Sequence, residues 1–195
     1  MFYKIVTIAG LCLLPLFPSS GMAPARVEFK TVQVKEIDAE EVALLILKRW
    51  EGLSLSATWD VNSYRNGWGT PAKKGEVITL KEADRRALEY FRNTRERLRV
   101  KYSHLGDWEL NILAVTAYNV GAFGPKLDRA VKSGNQVKIA EYLTLYIKSA
   151  GVVLQGLRNR RSQEAELLTA PPDRKAEILT ELQNIVLSHI KKAKK

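Results

Sequence analysis

A chain of 195 residues is long enough for one domain with a real core, even after removable ends are discounted. Lysine and arginine number 31 against 21 acidic residues, a formal net charge of +10, which favours anionic partners such as nucleic acid, anionic lipid or bacterial wall polymer. One cysteine (Cys12) and two widely separated histidines (His104 and His189) exclude an internal disulfide framework and a thiolate metal site, and neither a metal nor a cofactor is expected.

The first 25 residues, "MFYKIVTIAGLCLLPLFPSSGMAPA", read as a signal peptide. Lys4 supplies the positive flank, Ile5 to Phe17 the apolar run, and Ala23-Pro24-Ala25 a small-residue cleavage site. A spanning helix needs about 20 apolar residues. Pro15 and Pro18 interrupt this run earlier, so no stable membrane span is expected and the chain reads as exported to the periplasm or beyond. Cys12 is an apolar filler in that segment. Residues 26–37 read as a linker.

The domain proper begins at Asp38 and runs to residue 169. "DAEEVALLILKRWEG" places Asp38 as N-cap, Glu41 as its capping-box partner, and Val42, Leu45, Ile46 and Trp50 on one buried stripe that Gly52 ends. From Leu53 to Thr70, Ser, Thr, Asn and aromatics mixed with turn residues fit a small β-hairpin layer. "ITLKEADRRALEYFRNTRERLRVKY" offers Thr79 and Glu82 as a second capping box, with Leu80, Ala83, Ala87, Leu88, Phe91 and Leu98 at helical spacing.

Three more helices are expected at Trp108–Val120, Gln136–Ser149 and Leu157–Leu168, with "GAFGP", "SGN" and "AGVVLQG" as turns. Beyond Pro171-Pro172-Asp173, residues 173–195 form an additional C-terminal helix with a one-face stripe (Ile178, Leu179, Leu182, Ile185, Val186, Ile190) and a basic tail. The fold class is α+β, mostly helical, with a minor strand layer near the N-terminus.

Within this plan "RWEGLSLSATWDVNSYRNGWGT" sets two carboxylates in unequal surroundings. Glu51 ends an apolar helix beside Leu47 and Trp50, where desolvation raises a carboxyl pKa; Asp60 lies in a polar loop and stays ionised. Glycosidic hydrolysis needs such a pair, one group protonating the leaving oxygen and one activating water or stabilising the sugar cation.

Five separated blocks resemble the phage-type lysozymes, the T4-like muramidases of glycoside hydrolase family 24. "WEGLSLSATWD" is similar to the family's E-G-x-x-x-x-A-Y-x-D, "NGWGT" to its I-G-Y-G-H/T loop, and "GEVITLKEAD" to its G-x-x-I-T-x-x-E-A turn. "AVTAYNVGAFG" resembles S-F-A-F-N-V-G-x-x-x-F, and "AGVVLQGLRNRRSQEAELL" resembles A-G-x-V-L-P-G-L-x-x-R-R-x-x-E-A-x-L.

The resemblance implies a two-lobed fold with a glycan cleft between the lobes, and cleavage of the β-1,4 bond between N-acetylmuramic acid and N-acetylglucosamine. It implies Glu51 as general acid and Asp60 as the carboxylate opposite. Asn119 falls on the cleft side, and Arg160 or Arg161 orients the acid. Tyr64 and Trp68 are candidate sugar contacts, and Trp50 and Trp59 are further aromatics of the same stretch.

One position departs from the pattern. A water-positioning threonine is replaced by Arg65 when Gly67 and Gly69 are aligned, or by Asn66 when counted from Asp60. Arginine cannot hold water as a hydroxyl does, but it can pair with Asp60 or grip a substrate carbonyl. Inverting chemistry is thereby put in question. The partner implied is bacterial peptidoglycan, whose carboxylates suit a basic protein, and the molecule is expected to act as a monomer. A lysozyme-like protein that binds glycan without cutting it is the alternative. A nucleic-acid binder is disfavoured by the export signal and the lack of any helix-turn-helix or RNP pattern.

Overall fold

The computed structural model describes residues 39–60 and 63–193; the expected signal peptide, linker and Asp38 N-cap, with residues 61–62 and 194–195, lie outside them. The first helix, α1, spans Ala39–Glu51 and buries Val42, Ala43, Ile46 and Leu47. It ends at Glu51, so that side chain emerges where the chain turns away. Three antiparallel strands follow in the order β1 (Ser54–Asp60), β2 (Ser63–Gly67), β3 (Thr70–Pro71).

In the β1–β2 ladder Thr58 faces Arg65, Trp59 faces Tyr64 and Asp60 faces Ser63, with a bulge between Ser54 and Thr58. Paired residues share a face and alternate residues share a side, so Thr58, Asp60 and Arg65 fall together. The free edge of β1 is closed by an isolated bridge from Ser56 to Val77.

Helix α2 (Leu80–Lys101) starts at Thr79, whose hydroxyl accepts from the Glu82 amide at 3.2 Å. Only half of the capping box forms, because the Glu82 carboxylate is held by Arg85 and Arg86. Ala83, Ala87, Phe91 and Thr94 form its buried stripe, while Leu88 stays half-buried. Arg86 also pairs with Glu76 at 2.7 Å, tying the hairpin region to α2. That contact, with the Lys73 amide next, holds the Glu76 carboxyl down to about 2.

The centre of the molecule is α3 (Asp107–Val120), buried at every position from Leu110 to Ala117 and packed on α1, α2 and α6. Helices α4 (Pro125–Lys132), α5 (Gln136–Leu143), α6 (Gln155–Thr169) and α7 (Pro172–Ala193) complete the larger lobe. The helix expected at Leu157–Leu168 is α6, extended at both ends. The molecule is thus mostly helical with a small antiparallel layer, as the sequence pattern indicates.

Two elements differ from expectation. Helix α4 lies in a stretch left as connection, though Pro125 sits at its first turn and Leu127, Ala130 and Val131 are its buried face. The helix expected over Gln136–Ser149 stops at Leu143. Lys148–Ser149 (β4) instead pair with Val152–Val153 (β5). The turn between them, Ala150-Gly151, takes positive φ at both residues, 48° and 81°, the twist a two-residue hairpin requires. β-Branched Ile147, Val152 and Val153 favour that extended path over a helix.

Helix α7 packs on α1, and its Ile178, Leu179, Leu182 and Val186 join the main core. It therefore braces the helix that carries Glu51. Among the described residues no helix is long and apolar enough to cross a membrane. Leu182 has no exposed surface, so Leu182→Ala should cost about 2–5 kcal/mol. Thermal unfolding should show a lowered midpoint in a single transition; a separate early transition would mean that α7 is an independent appendage.

Candidate active site

Glu51 and Asp60 open into one cleft of about 510 Å³, walled by α1's end, β1, β2 and the turn at Gly69. They are unequal, as the sequence indicates: the Glu51 side chain is 17 % exposed and that of Asp60 59 %. The surroundings of Glu51 differ from the apolar pocket anticipated from Leu47 and Trp50. Its Oε1 accepts from Arg160 Nη1 at 2.7 Å. Its Oε2 lies against the Gly69 backbone. One carboxylate oxygen is thus held from behind and the other is turned to the cleft wall.

Arg160 is itself buried. Its Nε donates to Glu164 Oε1 at 3.0 Å and its Nη2 to the Val115 carbonyl at 3.3 Å. Arg161, with no exposed surface, donates to Glu164 Oε2 and to Asn119 Oδ1. Thr116 adds its hydroxyl to Glu164 Oε2 at 2.9 Å. Neither arginine lies on a solvated face; Arg160 is buried outside the cleft lining and holds the Glu51 carboxylate from behind. Because a guanidinium only donates, Asn119 must turn its oxygen to Arg161, which leaves the amide NH₂ of this exposed residue facing outward as a donor.

Across the cleft Arg65 donates from Nη1 to the Gly69 carbonyl at 2.9 Å and its Nε lies 3.4 Å from Asp60 Oδ2. It bridges the second carboxylate to the turn beneath the first. Asn66, the other residue weighed for the threonine position, is buried and donates from Nδ2 to Glu76 at 3.3 Å. A hydroxyl is nonetheless present in the cleft wall. Thr58, opposite Arg65 on β1, lines the cleft with an exposed side chain.

The aromatic contacts need correction. Trp68 has no exposed surface, and its indole donates to Asp84 at 2.7 Å, so it is a core residue and offers no face to a sugar. Trp59 is 62 % exposed and lines the cleft. Tyr64 packs edge-on against it at 5.1 Å between ring centres, supporting that ring. Trp50 is spoken for by Gln163 at 2.8 Å.

Behind this wall stands Tyr118, whose hydroxyl donates to the Trp68 carbonyl at 2.9 Å. Burial, and then the negative charge of Glu51, push its phenol well above the ordinary value, so it remains a neutral donor.

Among the described residues no three His, Cys, Asp or Glu side chains are grouped to hold a metal. His104 is a packing residue, its Nε2 2.9 Å from the Val131 carbonyl.

With this geometry in hand, comparison with known proteins is decisive at one level. Residues 48–164, more than half of the chain, match the phage lysozyme family. The chain belongs to the phage lysozyme family. The matched span contains Glu51, Asp60, Arg160 and Glu164.

Solved structures similar to this chain include the endolysin from Escherichia coli O157:H7 phage FAHEc1, at 25 % identity and a TM-score of 0.61, covering 69 % of this chain and 94 % of that one. The muramidase domain of SpmX from Asticaccaulis excentricus is 25 % identical with a TM-score of 0.59, over 67 % of this chain and 95 % of that one. The P1 phage endolysin Lyz shares the fold at 16 % identity and a TM-score of 0.59, covering 66 % and 83 % of the two chains. A search of curated protein sequences gives no match.

Glu164 and Thr116 were not singled out from the sequence. The signal for Glu164 was present: R-R-x-x-E sets it four residues after Arg160 and three after Arg161, on one helix face.

A tight steric constraint on Glu51 is Gly69. Its φ is 79°, and a Cβ there would stand 2.6 Å from Glu51 Oε2. Gly69→Ala should push the carboxylate off its position and lower turnover by roughly 10²-fold, the cost of about 1 Å of misplacement. The backbone cost is about 1 kcal/mol for a non-glycine residue at positive φ. Turnover and thermal midpoint measured together check this; unchanged turnover would show that Glu51 does not need that seat.

Proposed function

We propose that the chain is an exported lysozyme-type peptidoglycan hydrolase, carried to the wall by its N-terminal segment. It cuts the β-1,4 bond between N-acetylmuramic acid and N-acetylglucosamine. The observation that carries this reading is the unequal pair, Glu51 and Asp60, facing one cleft in a phage lysozyme chain.

In this mechanism protonated Glu51 donates its proton to the glycosidic oxygen as the bond from the anomeric carbon to that oxygen breaks. The carboxylate left behind is met by Arg160 at 2.7 Å, so charge develops against a fixed partner. Asp60, ionised and open to solvent, faces the positive charge forming at the anomeric carbon. It takes the proton of the water that completes hydrolysis. Trp59 supplies an exposed ring for a sugar face, and Asn119 a donor for an acyl or carboxylate oxygen of the polymer. The net charge of +10 favours residence on a wall rich in carboxylates.

Digestion of purified peptidoglycan followed by mass analysis tests the reading directly. Reducing N-acetylmuramic acid ends are expected, whereas anhydro ends or cut stem peptides would assign a different reaction. Glu51→Gln should fold, still sediment with walls, and lose roughly 10²- to 10⁴-fold in turnover, because an amide cannot donate the proton. Wild-type-like hydrolysis by that variant would remove Glu51 as the acid. Wall sedimentation by the wild type without any new ends would favour the non-cutting alternative, which Arg65 at the threonine position motivates.

Arg65 gives a separate expectation. Its pairing with Asp60 is solvent-exposed, so its loss is worth about 1 kcal/mol. Arg65→Thr should therefore lower activity roughly fivefold at matched folded fraction. Release of reducing ends from purified walls is the readout. A rise in activity would mean that the guanidinium obstructs a water site that a hydroxyl serves better.

A further inference from the structure

Arg160 touches two carboxylates at once, Glu51 Oε1 at 2.7 Å and Glu164 Oε1 at 3.0 Å. Glu164 has no exposed surface and is also gripped by Arg161 and Thr116. Two arginines and two glutamates therefore form one closed set of charges behind the acid. It is neutral when Glu51 is ionised and carries one positive charge when Glu51 holds its proton. From this geometry we infer that Glu164 is a positioning residue for the proposed reaction, and that its fixed negative charge offsets the positive charge Arg160 presents to Glu51. Glu164 touches neither solvent nor the cleft, so its effect on Glu51 reaches it through Arg160.

The charged and titratable groups facing Glu51 come from three directions. Arg160, Arg161 and Glu164 lie behind it on α6, Tyr118 rises from α3, and Asp60 with Arg65 line the hairpin side of the cleft. On α1 itself Lys48 is turned to Asp84 at 2.6 Å, and Arg49 lies over the Trp50 ring. Among these, Glu164 is the carboxylate that shares Arg160's charge. If Glu164 is made neutral, Arg160 and Arg161 face Glu51 with one uncompensated positive charge. Glu51 then gives up its proton at lower pH. If Arg161 is made neutral, Glu164 presses its charge on the same site and Glu51 holds its proton to higher pH. One unit charge a few ångströms away in a partly buried site moves such an equilibrium by roughly one pH unit.

The experiment is kcat against pH on purified peptidoglycan for the full chain, its Glu164→Gln and Arg161→Gln variants, and Thr116→Val. Thermal unfolding of each establishes that it is folded. The limb where activity falls with rising pH should move down by roughly one unit in Glu164→Gln, with KM unchanged, and up in Arg161→Gln. Thr116→Val alters no charge and should leave the limb in place. A general loosening of the fold would lower kcat at every pH and would not shift the two charge variants in opposite directions.

Limbs that coincide with the wild type, or that move the same way in both charge variants, overturn the inference. If Glu164→Gln does not fold, the Arg161→Gln limb decides by its sign. Because the inference rests on the proposed hydrolysis, a wild type that releases no muropeptides overturns both. An active wild type with unmoved limbs overturns this one alone.

Discussion

A carboxylate with no water around it costs several kcal/mol unless its charge is met, and Glu164 is such a group. Arg160 and Arg161 meet it, Thr116 satisfies a remaining lone pair, and the Val115 carbonyl takes another arginine hydrogen. Once that cluster is closed, little freedom remains in the elements that bring it together. Helix α6 must present its arginines inward, α3 must offer Thr116 and Val115, and the end of α1 must deliver Glu51 to the remaining guanidinium face. The site is the outer rim of a buried polar cluster, and the helices could not shift much without stranding a charge.

The small sheet supplies the opposing wall under a different constraint. Its ladder places Thr58, Asp60 and Arg65 on one side by strand alternation. Its closing turn brings Gly69 so near Glu51 that no side chain fits. Arg65 links the two by reaching from Asp60 to the Gly69 carbonyl. The two carboxylates of the cleft thus differ in how they are held, one by a buried ion pair and one by a solvated guanidinium. That difference in partners accompanies the difference in exposure that the proposed acid and base roles require.

Beneath both walls, Trp68 and Tyr118 show how the core reaches the site. The Trp68 indole is satisfied by Asp84 and its carbonyl by Tyr118, so a wholly buried tryptophan sits one residue before Gly69 and fixes the turn. On the far side α7 lies along α1 and adds four buried aliphatic residues to the shared core. Packing distant from the cleft therefore sets where Glu51 emerges.

Much of this was legible in the chain itself. The apolar period of α1 and the glycine after Glu51 placed that carboxylate at a helix end, and the turn-rich stretch beyond it placed Asp60 on a hairpin. The Thr79 cap and the stripe of α7 were also readable, because caps, stops and amphipathic periods are local and need only neighbouring residues. What the sequence did not decide was which of several similar side chains would lie inside. Trp59 and Trp68 sit in the same turn-rich stretch, yet one is exposed and one enclosed, since β1 pairing leaves Trp59 on an open side while Trp68, in the turn after β2, enters the core and donates to Asp84. The motif left open which of Arg160 and Arg161 would meet Glu51; packing gives that contact to Arg160, 109 positions along the chain, and turns Arg161 to Glu164 and Asn119. Such pairings are set by how α1, α3 and α6 pack in three dimensions, and the desolvation that makes them obligatory exists only after that packing has removed the water.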